Sequence, residues 1–123
     1  MIRQALISGG GIGGLAAALA CTRAGWEVRL FERAPVFSEV GAGIQLGPNV
    51  TRVLHAWDLA GALANIAAFP DRLQVRSAVS GRELGVLPLG ATTLQRYGAP
   101  YATVHRADLH QMLLARVKQS ADV

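Results

Sequence analysis

The sequence predicts an α/β fold, a Rossmann-like βαβ unit with an added β-hairpin, forming the incomplete N-terminal part of a larger doubly wound sheet. Three observations predict it. A short apolar stretch, Ala5, Leu6 and Ile7, runs into Gly9-Gly10-Gly11-Ile12-Gly13-Gly14, where an Ala/Leu-rich helical pattern begins. A second strand, Val28 to Glu32, is entered through Gly25, a residue suited to end that helix in a left-handed conformation. Further on, Leu73, Val75, Ser77 and Val79 alternate with other residues, Ser80-Gly81 turns the chain, and residues 83–87 return, which is the pattern of a β-hairpin.

The glycine run asks for a specific chemistry. Gly9, Gly11 and Gly14 fill a Gly-x-Gly-x-x-Gly pattern that also encloses Ile12, and Glu32 follows Gly14 by eighteen residues, close to the roughly 20 expected of an acid that holds an adenosine ribose. Gly9 permits the sharp turn out of the strand, Gly11 lets backbone approach a pyrophosphate, and Gly14 lets the helix lie against the strand. The helix start then offers unpaired N–H groups and a positive dipole end to phosphate. Glu32, at the carboxyl end of the second strand, would accept hydrogen bonds from a ribose 2′-hydroxyl and repel a 2′-phosphate, favouring FAD or NAD over NADP. The competing readings are a merely flexible glycine loop and a solvated Glu32 paired with Arg33 or Arg29. The order strand, glycines, helix, strand, acid favours the dinucleotide.

Composition narrows the classes. A chain of 123 residues, 51% hydrophobic, suits one domain with a modest core, residues 1–123 forming a partial cofactor-binding domain. The longest apolar stretch, residues 12–21, falls short of the ~18 needed to span a membrane, and the glycine cluster argues against a signal peptide. The lone Cys21 excludes an internal disulfide and fits a reducing cytoplasm. The net charge of +4 comes from arginines scattered singly, without the clustering that nucleic-acid binding requires. His55, His105 and His110 have no Cys or acidic partner at metal-ligand spacing and no Gly-x-Ser-x-Gly elbow exists, so neither a metal centre nor a hydrolytic triad is expected.

The remaining elements follow in order. Residues 34–47 read as a Gly-rich loop. Gly47-Pro48-Asn49 opens a helix whose buried face is Val50, Val53, Leu54 and Trp57. A short helix around residues 62–67 precedes the hairpin. Residues 90–100 read as loop, 101–104 as strand and 107–118 as a helix with Leu109, Met112, Leu113 and Val117 on its apolar face. Asp108 lies near that helix's positive end. Ala121-Asp122-Val123 reads as the approach to a further parallel strand, which makes the chain an N-terminal portion with uncovered sheet edges open to self-association.

Three stretches taken together, GGGIGGLAAALACTRAGWEVRLFER, GAGIQLGPNVTRVLHAWDL and VHRADLHQMLL, resemble in order and spacing the N-terminal third of the FAD-dependent aromatic hydroxylases, in particular the salicylate hydroxylase and 3-hydroxybenzoate 6-hydroxylase group. The resemblance covers nearly the whole chain, and its second and third segments are the more specific. It implies that Gly9, Gly11, Ile12 and Gly14 face the FAD pyrophosphate, Glu32 the ribose and Arg33 the adenosine part. It implies further that Ile44 and Gln45 run beside the flavin and its ribityl chain, and that Arg106 reaches the phosphate and ribityl region, where a guanidinium can bind phosphate oxygens bidentately.

The function the resemblance implies is hydroxylation of a phenolic acid, an aromatic small molecule, using NAD(P)H and O₂. The family's two later cofactor motifs and its substrate-covering sheet are not in this sequence, so no catalytic residue is assigned and the isolated chain is expected to be inactive. Two alternatives stand beside it: another FAD-dependent oxidoreductase sharing the glycine motif, and a truncated chain without activity of its own.

Overall fold

The computed structural model describes residues 1–38 and 41–123; Glu39 and Val40, inside the predicted loop 34–47, lie outside the described residues. Two compact units are present, one formed by Met1–Ala42 with Arg106–Val123 and the other by Gly43–His105.

The first unit is the βαβ element. Strand β1 (Gln4–Ser8) leads into helix α1 (Ile12–Arg23), which returns to strand β2 (Glu27–Phe31). The strands pair in parallel, Gln4 opposite Glu27 through Ser8 opposite Phe31. Side chains alternate across β2, so Val28 and Leu30 are buried while Arg29 and Phe31 face outward. Helix α1 presses Leu15, Ala18 and Leu19 onto this sheet and onto helix α5 (Arg106–Val117), which contributes Leu109, Leu113, Leu114 and Val117. The first helix ends as predicted at Gly25, with Trp26 N–H bonded to Cys21 O and Gly25 N–H to Thr22 O, the paired bonds of a Schellman motif. Beyond α5, Asp122 forms a parallel bridge with Arg29, its N–H donating to Val28 O and its carbonyl accepting from Leu30 N–H. The expected approach to a further parallel strand therefore lies on the free edge of β2.

The second unit contains strand β3 (Gly43–Leu46), helices α2 (Pro48–Ala56) and α3 (Ala60–Ile66), strand β4 (Ala67–Ala68), the hairpin β5 (Arg72–Arg76) and β6 (Glu83–Pro88), helix α4 (Gly90–Tyr97) and strand β7 (Ala102–His105). Strand β7 is the centre of an antiparallel sheet in the order β3-β7-β4, while β5 and β6, among the described residues, pair only with each other. The core of this unit includes Leu46, Leu54, Leu59, Leu63, Ala102 and Val104.

Four expectations need correction. The stretch 34–47 is not all loop, because residues 43–46 form β3 against β7. The stretch 90–100 contains α4, closed by Gly98 at φ 72° and anchored at its start by Leu89 and Gly90 N–H groups donating to Asp71 O. On α2 the buried residues are Thr51 and Leu54, with Val50 and Val53 exposed; the Thr51 hydroxyl donates to Pro100 O at 2.6 Å, which satisfies it away from water. On α5 the buried face includes His110 and Leu114, while Met112 is only half-buried. The hairpin is as predicted, except that β5 ends at Arg76 and Val79 lies exposed in the turn.

Candidate dinucleotide site

The glycine run bridges the end of β1 and the start of α1. Gly9 adopts φ +106°, a region closed to most residues, and its N–H donates to Phe31 O at 2.7 Å, tying the turn to the end of β2. Gly14 lies so close beneath it that a Cβ there would stand 1.9 Å from the Gly9 carbonyl oxygen. Around Gly11, by contrast, a Cβ would meet nothing within 4 Å, so the space in front of this residue is open to an approaching group. Gly11 caps α1 without a side-chain bond, and no acid occupies the first turn. Within α1 itself, nothing compensates the positive helix end.

Glu32 follows directly after β2 and turns back to the glycines. Its Oε2 accepts from Gly10 N–H at 2.7 Å and its Oε1 from Ala34 N–H at 3.1 Å. These bonds, Gly10 first, hold the carboxyl below the usual carboxylate range, against a weaker opposing effect of desolvation. Of the two arginines considered as its partners, Arg33 adds a smaller lowering effect, while Arg29 Nε lies 3.4 Å from Asp122 Oδ2.

A cleft of about 190 Å³ opens beside this carboxylate, lined in part by Gly10, Gly11, Glu32, Phe37, Ser38 and His110. From the sequence, Phe37 and Ser38 have no role and His110 is considered only as a metal ligand, which its spacing sets aside. Phe37 lies against Gly10, where a Cβ would come within 2.2 Å of its ring. His110, only 1% exposed, places Nε2 2.7 Å from Gly10 O. A carbonyl can only accept, so this nitrogen donates.

The other expected site residues are distributed over both units. Arg33 is exposed just beyond Glu32. Arg106 begins α5, its N–H bonded to Ala42 O and its side chain against Gly41. Ile44 and Gln45 belong to the second unit, on β3 opposite Val104 and Thr103, with Ile44 half-buried and Gln45 exposed. Among the described residues no group of three or more His, Cys, Asp or Glu side chains could hold a metal ion, and no helix is long and apolar enough to cross a membrane.

A parallel βαβ unit with a glycine turn and an acid at the end of its second strand defines the class, a dinucleotide-binding fold, and residues 7–55 match the family described as NAD(P)-binding Rossmann-like domain. The chain's homologues are 3-hydroxybenzoate 6-hydroxylase and related FAD-dependent monooxygenases. It is 42% identical over 118 residues to 3-hydroxybenzoate 6-hydroxylase of Polaromonas naphthalenivorans, covering 96% of this chain and 30% of that protein. It is 44% identical over 109 residues to 6-hydroxynicotinate 3-monooxygenase of Bordetella bronchiseptica, covering 89% of this chain and 28% of the relative. Among solved structures, the tetrameric form of 2-methyl-3-hydroxypyridine-5-carboxylic acid oxygenase superposes with a TM-score of 0.82 at 28% identity, over 98% of this chain and 30% of that one. Klebsiella pneumoniae HpxO, complexed with FAD and uric acid, gives 0.80 at 27% identity, with 98% and 30% coverage. The chain thus spans about 30% of the length of the relatives it matches.

Proposed function

We propose that this chain forms the FAD-binding part of a flavin-dependent monooxygenase that hydroxylates an aromatic, phenolic-acid substrate with NAD(P)H and O₂. The observation that carries the proposal is the Glu32 carboxylate, fixed by two backbone N–H groups beside the open approach to Gly11. Gly9 and Gly14 shape the turn, Gly11 and Ile12 at the helix start receive the pyrophosphate, and Glu32 accepts from the ribose. Arg33 serves the adenosine part, and Arg106 the phosphate and ribityl region. Ile44 and Gln45 serve the flavin side. FAD, when bound, supplies the redox and oxygen chemistry, and the contribution of these residues is to bind and orient it. A cytoplasmic location and self-association through exposed strand edges belong to the same reading, as does the absence of turnover by these 123 residues alone.

Titration with FAD, followed by flavin fluorescence, tests it. Saturable quenching is expected, weakened about tenfold in Glu32→Ala, the cost of roughly one hydrogen bond to a charged group. Binding that ignores Glu32 would remove the ribose assignment, and no binding would remove the FAD reading for this chain.

A further inference from the structure

We infer that His110 is a positioning residue of this site: by holding the Gly10 carbonyl from α5 it keeps the Gly10 N–H aimed at Glu32, and so fixes the carboxylate for a ribose hydroxyl. The inference rests on the adenosine reading above. Gly10 is held at both of its polar atoms, its N–H by Glu32 Oε2 and its carbonyl by His110 Nε2, each at 2.7 Å. A glycine has no side chain to restrict its backbone, and two opposed bonds supply that restriction here. Phe37 closes a third side, standing against Gly10 with its ring centroid 6.5 Å from that of His110. Lys118 Nζ covers the same ring at 5.9 Å.

Packing alone does not account for a histidine at this position. Its neighbours on the buried face of α5 are Leu109, Leu113 and Leu114, and a leucine would fill the place without a polar ring to desolvate. His110 Nδ1 is buried without a hydrogen-bond partner among the described residues. The Nε2 bond to the loop is therefore the polar contact for which the ring is suited, and it selects the tautomer protonated on Nε2.

The test measures the ratio of affinities for ADP and 2′-deoxy-ADP, which differ in the hydroxyl assigned to Glu32. The wild-type chain is expected to prefer ADP by about tenfold. In His110→Leu that preference should collapse toward unity. Equal weakening of both nucleotides, or an unchanged ratio, would show a merely structural role and overturn the inference. A wild-type chain that binds neither ADP nor FAD would instead overturn the adenosine reading itself. Should His110→Leu fail to fold, ¹⁵N NMR of the wild-type imidazole decides: a proton on Nε2 supports the inference, and a neutral ring protonated on Nδ1 cannot donate to Gly10 and overturns it.

Discussion

At Glu32 the local chemistry has a pH consequence. Hydrogen bonds from Gly10 and Ala34 N–H groups favour the ionised carboxylate in the folded loop, so its protonation point is lowered by folding. The stabilisation these bonds give is present above the ordinary carboxylate range and is lost as pH falls through the depressed value. FAD affinity is therefore expected to be level around neutrality and to drop only in acid below that range. Glu32→Ala should lack this acid limb, as titrations at successive pH values would show. Gly9, Gly14 and Glu32 were legible in the sequence because each answers a local backbone demand: a turn at φ +106°, an approach that leaves no room for a Cβ, and an acid at the end of a strand. His110 was not legible. Its partner Gly10 lies 100 residues away, and a histidine on an otherwise leucine-rich helix face carries no local signal of what it will meet.

Among the elements, α2 shows how far periodicity reaches. The spacing of Val50, Val53, Leu54 and Trp57 correctly indicated a helix and the burial of Leu54, but Val50 and Val53 are exposed, and Thr51, whose hydroxyl finds Pro100 O, is buried instead. Thr51→Val keeps the shape and removes the donor, leaving the Pro100 carbonyl without that bond. A loss of about 1–2 kcal/mol in urea-unfolding free energy is expected, with an unchanged m-value. Helix α4 was missed for a related reason. It has no side-chain cap, no acid in its first turn and two threonines in its interior, so local propensity is weak. What holds it is tertiary: Thr93 is buried and the helix entry is bonded to Asp71 O. Strand β3 is likewise specified by β7, which arrives more than fifty residues later in the sequence.

For the molecule as a whole, the uncovered apolar surface matters more than the charge. Among the described residues the hairpin β5–β6 pairs with no other strand, and Leu73, Val75, Leu84, Val86 and Leu87 are all exposed on it, Leu84 at 65%. On the βαβ unit Leu6 and Phe31 are exposed as well. Surfaces of this kind favour association between copies. Sedimentation velocity should show a weight-average mass that rises with concentration, and Leu84→Lys together with Val86→Lys should shift the molecule toward monomer. The parallel βαβ order and an approach to a further parallel strand at residues 121–123 were readable from spacing, but that this approach lies beside β2 was not. The antiparallel sheet β3-β7-β4 was not, since its pairings join segments separated by whole helices.

The two bonds that grip Gly10 differ in the length of chain they close, 22 residues for Glu32 and 100 for His110. Contacts between distant segments must overcome the loop-closure entropy of the chain between them, so the glycine turn can form against β2 early, while its lock from α5 must wait for the 100-residue separation to be spanned. During synthesis the turn would leave the ribosome long before the residue that secures it. A nucleotide that favours the locked turn would then act mainly by slowing unfolding, with little effect on the rate of folding.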